Sequence, residues 1–208
     1  MKPEGPEFDV RDSGLPTDVL ATDDSVLVRG PALSGKYGLL LDLLAAYSEH
    51  AVLVSTSRQA AGARTDFAAY GDPDRLAVVD ATTRVQDGDG EDPLLRYASS
   101  PRNLTAIGVK FTGLVELLRE REPETVAVGV HSLSELLMYR DVERVFQFVR
   151  VMLGECRDLD WPMVATIDDT AVAEPAVSTL AQPFDAVIET RIADDGSQAF
   201  TVQREDTG

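Results

Sequence analysis

One segment near the start of the chain places glycines and a lysine at the spacing that binds a phosphate group. It comprises eight consecutive residues: Gly30, Pro31, Ala32, Leu33, Ser34, Gly35, Lys36 and Tyr37. These residues fit the pattern G-x-x-x-x-G-K-[ST] at every position except the last. Glycines let the backbone curl so that successive N–H groups point inward at an anion, and the lysine adds a cation for the outer phosphates. The sequence therefore predicts a nucleotide-binding loop formed by these eight residues.

The metal-binding half of this pattern is altered in the sequence. The last position should carry a Ser or Thr hydroxyl that holds Mg²⁺, but it is Tyr37, whose bulk would intrude on the ion or swing over the nucleotide. The fourth predicted strand should end on a carboxylate for the magnesium shell, and His131 stands there instead. A neutral imidazole is a poor ligand for a hard cation. We therefore predict ATP or ADP as the ligand, doubt that Mg²⁺ binds, and assign neither a catalytic nor a metal-ligating residue.

Other polar residues near the predicted strand ends leave alternatives open. Arg58 either touches phosphate or forms an ordinary surface pair, and His131 is either a hydrogen-bonded histidine or a phosphate contact. Asp80, Asp168 and Asp169 either hold a metal through water or cap nearby backbone. The loop itself has a structural alternative, a tight turn between a strand and a helix that binds nothing.

Apolar strands alternate with amphipathic segments along the chain, which is typical of an α/β fold. The predicted strands are 25–29, 51–55, 76–80, 125–130 and 162–167, followed by a hairpin of 184–191 and 198–203. The predicted helices are about 36–48, 58–70, 104–121 and 141–159, and residues 81–103 are predicted to be irregular. We expect a mostly parallel central sheet flanked by helices, with a C-terminal antiparallel hairpin and the ligand at the carboxyl ends of the strands.

The length of 208 residues suits one domain, which we assign to residues 25–205, with residues 1–24 as a flexible leader. Apolar runs fall short of the roughly 20 residues of a membrane span, and the polar N-terminus does not resemble a signal peptide. The single cysteine, Cys156, fits a reducing compartment and a buried position in a helix. These features favour a cytoplasmic protein without a membrane partner.

The formal net charge is −17, from 36 acidic and 19 basic residues. At about 1 M salt the Debye length is only about 3 Å, so a surface of this kind suits a cytoplasm of molar salt. We interpret the charge as a halophilic adaptation; the alternative is an acidic surface made for a basic partner. Nucleic acid is disfavoured as a partner because the sequence has no basic stripe that would release counterions.

With these features the chain resembles the RecA superfamily of P-loop ATPases, in its KaiC-like branch. It is similar to small, divergent haloarchaeal members of that branch over about residues 15–205. The segments that carry the resemblance are 30–37, 126–133, 184–203 and 101–108. The resemblance implies an ATP site at the loop and assembly into dimers or hexamers, and hence a nucleotide and a protein partner or self-association.

The chain departs from the family pattern at three functional positions. These are the metal-binding hydroxyl (Tyr37), the aspartate after the fourth strand (His131) and the glutamates after the second strand (Thr56 and Ser57). The sequence therefore favours a nucleotide-binding regulatory or signalling protein that is a pseudo-ATPase. One alternative is a slow ATPase of the RecA or KaiC type that uses Asp168 or a residue from a neighbouring subunit. Another is a protein-interaction module with an empty phosphate loop.

Overall fold

One eight-stranded sheet organises the chain in a computed structural model, which describes Val19 and residues 25–82, 92–193 and 196–204. The strands are β1 (Ser25–Gly30), β2 (His50–Ser55), β3 (Leu76–Asp80), β4 (Leu95–Tyr97), β5 (Val126–His131), β6 (Met163–Asp168), β7 (Ala186–Ile192) and β8 (Gln198–Arg204). The helices are α1 (Lys36–Tyr47), α2 (Ala60–Phe67), α3 (Leu104–Arg121), α4 (Leu133–Leu137), α5 (Val142–Arg157) and α6 (Glu174–Ala181), with a 3₁₀ turn at Pro73–Arg75.

The sheet has the strand order β4-β3-β2-β5-β6-β1-β7-β8. All neighbouring strands run parallel except β7 and β8, which form an antiparallel hairpin at one edge. Strand β1 lies between β6 and β7, and its last residue Gly30 is in register with Asp168. The segment after β1 therefore leaves the sheet at its carboxyl edge, between two other strand ends.

Helices cover both faces of the sheet, as the nearly continuous apolar strands require. In β1, Val26 and Val28 belong to the core that α1 and α2 cover, whereas Leu27 belongs to the core under α3 and α5. This alternation follows from the two-residue side-chain period of a strand. Five leucines of α1 are buried at 1% exposure or less: Leu39, Leu40, Leu41, Leu43 and Leu44. The helix that begins at Lys36 is thus fixed to the sheet along its length.

Gly129 in β5 lets α1 approach the sheet closely. A Cβ atom at this position would lie 2.9 Å from Leu44 Cδ1 and 3.2 Å from Leu40 Cδ2. Both atoms are the ends of leucine side chains, so an alanine here would force Leu44 and Leu40 to shift. The missing side chain in β5 therefore leaves room for the leucines through which α1 packs on the sheet.

The predicted fold class is confirmed: the sheet is mostly parallel, flanked by helices, and ends in an antiparallel hairpin. The prediction that residues 81–103 are irregular is wrong in part, because Leu95–Tyr97 forms β4 and pairs with β3. A strand of three residues has no periodicity to detect, and this one is held by its neighbour, as the hydrogen bond from Val78 N to Leu94 O shows. The short helix α4 was also not expected.

Other expectations fall at the edges of the described chain. The leader assigned to residues 1–24 lies outside the described residues except for Val19, which is buried against the α1 face of the sheet. The second helix is shorter than predicted, because residues 68–70 continue as turns after Phe67. In the part of the chain that the structure describes, none of the helices has the length and apolar character needed to span a bilayer.

Candidate functional site

Both glycines of the predicted loop occupy positions that exclude a side chain. Gly35 is the N-cap residue of α1 and has φ 84° and ψ 6°, a left-handed conformation that favours glycine. A Cβ on Gly35 would also overlap the side-chain amide of Gln198. A Cβ on Gly30 would overlap the carbonyl and hydroxyl oxygens of Thr190 in β7. The close approach of the β7–β8 hairpin and the turn into α1 therefore explain the two glycines of the motif.

Lys36 folds back into its own loop. Its side-chain nitrogen donates hydrogen bonds to the Gly30 carbonyl (2.7 Å), the Pro31 carbonyl and the Ser34 hydroxyl (3.4 Å). The residue is only 8% exposed. Burial lowers the pKa of Lys36, although the negative charges of Asp168 and Asp169 oppose the shift. The loop thus holds a buried ammonium group beside the N-terminus of α1, whose first turn carries no acidic residue.

Ser34 ties the loop to the hairpin. Its hydroxyl lies 2.6 Å from the hydroxyl of Thr190, and both residues are fully buried. Thr190 Oγ1 also donates to the Arg29 carbonyl at the end of β1. The loop is therefore anchored by a residue 156 positions further along the chain. Sequence reasoning missed Thr190 because nothing in the local pattern indicates a contact over that separation.

The tip of the loop is exposed. Ala32 is exposed, and Leu33 is 95% exposed with φ 62°, a positive value that is uncommon for a residue with a side chain. Ser34 N donates to the Pro31 carbonyl (3.3 Å), which closes the tip as a tight turn. The eight predicted site residues are thus placed as one turn between β1 and α1, with the lysine inside and the tip outside.

The residue at the metal-binding position of the motif contacts two other polar side chains. The ring of Tyr37 packs against His131, with ring centroids 4.4 Å apart and planes tilted by 32°. The Arg58 guanidinium lies over the Tyr37 ring at 5.0 Å from its centroid and forms an ion pair with Asp66 (3.2 Å). We call Tyr37, His131 and Arg58 the aromatic cluster. It brings together three positions that the sequence left as separate alternatives.

Within the aromatic cluster, the pKa values of His131 and Tyr37 are shifted so that both side chains stay neutral near pH 7. Burial of the His131 ring, together with the charges of Arg58 and Lys36, lowers its pKa to about 3. The His131 Nδ1 atom lies 2.8 Å from the Thr166 hydroxyl, which fixes the ring on the sheet edge. Burial and the nearby Asp66 carboxylate raise the pKa of Tyr37.

This cluster does not fit a magnesium ion. Mg²⁺ needs oxygen ligands in near-octahedral geometry and keeps several waters. The two positions that would supply or orient those ligands hold a phenol ring and an imidazole in contact with each other. Within the described ranges, His, Cys, Asp and Glu side chains form no group of three or more that could hold a metal.

The aspartates at the strand ends make structural contacts. Asp80 is 1% exposed and accepts hydrogen bonds from Ala60 N (2.8 Å) and Thr82 N (2.7 Å), so it connects α2 to the end of β3. Asp168 accepts from Thr170 and Ala171. Partial burial acts to raise the pKa of Asp168, but the hydrogen bonds from Thr170 and the charge of Lys36 outweigh it and lower the value.

Asp169 is held in an ion pair beside the loop. Its carboxylate accepts from Arg29 Nε (3.1 Å), and Arg29 also contacts Glu174 at the start of α6. The Asp169 backbone N–H donates to the Gly30 carbonyl (3.2 Å). These contacts agree with the capping alternative for the aspartates.

Cys156 lies away from this edge on α5. Burial raises the pKa of its thiol to about 12, so the side chain is a small, neutral, buried group.

Comparisons with solved structures show a RecA-like fold. An ATPase of the type III secretion system of pathogenic bacteria aligns over 81% of this chain at 13% identity with a TM-score of 0.52, and the chain spans about half (51%) of that protein. The protein PH0250 of Pyrococcus horikoshii OT3 aligns over 88% of this chain and 87% of its own length, at 14% identity and a TM-score of 0.58. The uncharacterised protein PH0321 of Pyrococcus horikoshii, solved in complex with an unknown peptide, aligns over 89% and 85% of the two chains at 15% identity and a TM-score of 0.55.

The chain belongs to DUF7504, a family of unknown function whose model matches residues 24–190. A search of curated proteins finds no match. The structural comparisons therefore support the RecA-like part of the resemblance, and the finer haloarchaeal grouping stays a prediction.

Proposed function

We propose that this chain is a regulatory or signalling protein that binds ATP or ADP through the loop Gly30–Tyr37 and hydrolyses it little or not at all. The observation that carries the proposal is the buried ammonium group of Lys36, held inside a glycine turn at the N-terminus of α1. A buried cation beside a helix N-terminus attracts a phosphate group, since the backbone N–H groups and the helix dipole add to its charge. The RecA-like fold of the chain supports the same ligand class.

Phosphate would enter by replacing contacts that Lys36 now makes. An ammonium group has three N–H donors, and Lys36 directs them at two carbonyls and one hydroxyl of its own loop. A phosphate oxygen that takes over one of these donors forms a charge-assisted hydrogen bond, which is stronger than a bond to a neutral carbonyl. The loop carbonyls therefore hold the lysine in place until an anion replaces them.

The weak or absent hydrolysis follows from the aromatic cluster. In P-loop enzymes a bound metal ion neutralises charge as the phosphoryl group leaves. Here the Tyr37 ring and His131 occupy those positions, and the Thr56 hydroxyl, where a glutamate would be expected, is bonded to the Ser132 backbone. A pseudo-ATPase binds nucleotide as a signal, so its output would be an interaction with a protein partner or a second copy of itself.

The slow-ATPase alternative depends on Asp168. This residue lies in register with Gly30, and its negative charge opposes the burial that lowers the pKa of Lys36. A carboxylate there is well placed to organise water near a bound phosphate. Its Oδ1 atom, however, already accepts three hydrogen bonds, from Thr170 N, Thr170 Oγ1 and Ala171 N. This arrangement favours a structural role for Asp168 over a catalytic one.

The proposal is tested by calorimetry of the whole chain with ATP, ADP and GTP in molar KCl, with and without Mg²⁺, alongside a phosphate-release assay. We expect ATP or ADP to bind with little dependence on Mg²⁺ and release to stay near background. A chain that binds none of the three nucleotides contradicts the proposal and supports the interaction module. Turnover on the order of 1 s⁻¹ or faster supports the ATPase alternative.

The acidic composition suggests the conditions under which this protein works. A net charge of −17 on 208 residues should lower the stability of the folded chain at low salt, because like charges repel within a Debye length. We propose a halophilic, cytoplasmic protein for this reason. The same charge argues against a nucleic-acid partner.

A further inference from the structure

The side chain of Gln198, the first residue of β8, lies directly against the phosphate loop. A Cβ built on Gly35 would overlap its Nε2, Cδ and Oε1 atoms. Gly35 precedes Lys36 and caps α1, so the Gln198 amide stands at the point where the loop enters the helix. This contact joins the C-terminal hairpin to the predicted site, and the sequence pattern of the loop does not predict it.

The position of Gln198 is fixed from two sides. It pairs with Ile192 in the antiparallel ladder between β7 and β8, and the hydrogen bond from Ala193 N to Ser197 O closes the turn beside it. Two residues before Ile192, Thr190 contacts the hydroxyl of Ser34 in the loop. The hairpin and the loop are thus connected by two side chains, of which Thr190 has its hydrogen bonds satisfied.

Unlike the Thr190 hydroxyl, the side-chain amide oxygen of Gln198 lacks a hydrogen-bond partner among the described residues. This atom, Oε1, is buried. Leaving a buried carbonyl oxygen unpaired costs stability, so such an atom in a folded protein needs an explanation. Packing against Gly35 alone would be served as well by an apolar side chain of similar size.

The chemistry of an unpaired acceptor limits what can satisfy it. A phosphate group at neutral pH offers mainly acceptor oxygens, so it does not pair with a carbonyl oxygen. The donors of a nucleotide are the amino and ring N–H groups of its base and the hydroxyls of its sugar. An acceptor next to a phosphate loop is therefore complementary to the nucleoside part of the ligand.

We propose that Gln198 contacts the nucleoside of a nucleotide bound at the loop, with Oε1 accepting a hydrogen bond from a base N–H or a sugar hydroxyl. This inference rests on the proposed function and adds a specificity-determining residue to it. It assigns the β7–β8 hairpin a direct role: the hairpin carries both the residue that anchors the loop and the residue that recognises the nucleoside beyond the phosphates.

The test compares ligands with and without a nucleoside. The dissociation constants of ATP and of inorganic triphosphate are measured by calorimetry in molar KCl for the unmodified chain and for Gln198→Leu. The matched control is Gln203→Leu, which makes the same change at an exposed position on the same strand. We expect Gln198→Leu to weaken ATP binding about 3- to 10-fold, the range of one lost hydrogen bond, and to leave triphosphate binding within about twofold. The control should change neither.

Two results overturn the inference while leaving the proposed function intact. Equal affinity changes for ATP and triphosphate in Gln198→Leu mean that the residue only shapes or covers the loop. No change for either ligand means that it does not contact them. In both cases the proposed nucleotide site still stands if Lys36→Ala weakens ATP binding. If the unmodified chain binds neither ligand, the proposed function and this inference fail together.

The unmodified chain provides a measurement that does not depend on how Gln198→Leu folds. If Gln198 recognises the nucleoside, ATP binds more tightly than triphosphate, and equal affinities contradict the inference. Substituting dATP and GTP for ATP then locates the donor. If dATP binds more weakly than ATP, the contact is to the sugar 2′-hydroxyl. If only GTP binds more weakly than ATP, the contact is to the base.

Discussion

The two halves of the candidate site differ in how closely they match a phosphate-binding motif. The loop half, Gly30 to Lys36, has the glycine conformations, the helix N-terminus and the buried ammonium group. The metal half is the aromatic cluster of Tyr37, His131 and Arg58. Loop geometry depends on the backbone and on contacts with β7 and β8, which are part of the fold itself. A metal site depends on a few side chains, which can be replaced while the fold persists.

The aromatic cluster also gives the metal half a structural role of its own. Aromatic contacts and a cation over a ring each contribute on the order of 0.5–1 kcal/mol. These contacts connect α1, the end of β5 and the segment after β2. All three meet at the carboxyl ends of the parallel strands, where Ser55 is in register with His131. The side chains that would organise a metal ion now join three elements directly.

The strongest test of the loop half is Lys36→Ala. Loss of the ammonium group should weaken ATP binding by about 1.5–3 kcal/mol, the scale of a charge-assisted hydrogen bond. Calorimetry measures the change, and Lys110→Ala on α3 serves as a matched control for lost lysine charge. Affinity that stays the same in Lys36→Ala would exclude this residue from the site.

The corresponding test of the metal half is the double variant Tyr37→Thr with His131→Asp. It introduces the hydroxyl and the carboxylate that hold magnesium in active P-loop enzymes, so ATP binding should become tighter when Mg²⁺ is added, by about tenfold or 1.4 kcal/mol. The unmodified chain should change by about twofold or less under the same titration. If the unmodified chain already shows the larger dependence on Mg²⁺, the aromatic cluster does not block the metal.

The two single variants Tyr37→Thr and His131→Asp complete this experiment. Because the ion needs both ligands, we expect each single change to give less magnesium dependence than the pair. Hydrolysis is not expected to appear even in the double variant, since Thr56 and Ser57 supply no general base. A single variant with the full effect would show that only one of the two positions matters.

The neutral state of His131 predicts how stability changes with pH. Its pKa is about 3 in the folded chain and near 6.5 when unfolded, so the unfolded chain binds the extra proton first as the pH falls. The stability that depends on neutral His131 is therefore complete above about pH 6.5 and is lost progressively below it. Between about pH 6.5 and pH 5 the free energy of unfolding should fall by about 1–2 kcal/mol through this residue.

The contribution of His131 is isolated with His131→Gln, which cannot take up the proton. Urea unfolding of both chains at several pH values in the same molar KCl gives the difference, and carboxylate effects common to both chains cancel. We expect the difference between the free energies of unfolding of the two chains to change as the pH falls from about 6.5 to 5, because only the unmodified chain loses the contribution of His131. Parallel curves would show that His131 titrates normally in the folded chain.

The smallest expected effect concerns the surface as a whole. If the charge of −17 is a salt adaptation, the melting temperature should rise by roughly 2–8 °C as KCl increases from about 0.1 M to about 3 M. Scanning calorimetry measures this shift, and ATP binding measured at the same salt concentrations shows whether the loop follows the fold. A melting temperature that does not change with KCl would contradict the halophilic interpretation.

Local sequence determined the backbone framework of this protein. The runs of Val and Leu in β1, β2, β3, β5 and β6 indicated a buried parallel sheet, because only strands covered on both faces are apolar throughout. The motif at Gly30–Tyr37 located the loop, since the left-handed backbone of Gly35 at the start of α1 is a local requirement. The terminal hairpin was also apparent, because its turn residues and its alternation are local signals.

Only the tertiary structure decided what surrounds the loop. Strand order places β7 beside β1, which brings Thr190 to Ser34 and Gln198 to Gly35 across more than half of the chain. It also brings Tyr37, His131 and Arg58 together from three separate segments. A sequence pattern reports conformational preferences over a few neighbouring residues, whereas these contacts depend on how distant strands pair. The candidate ligand class was therefore readable from the sequence, while the residues that shape its site were set by the sheet.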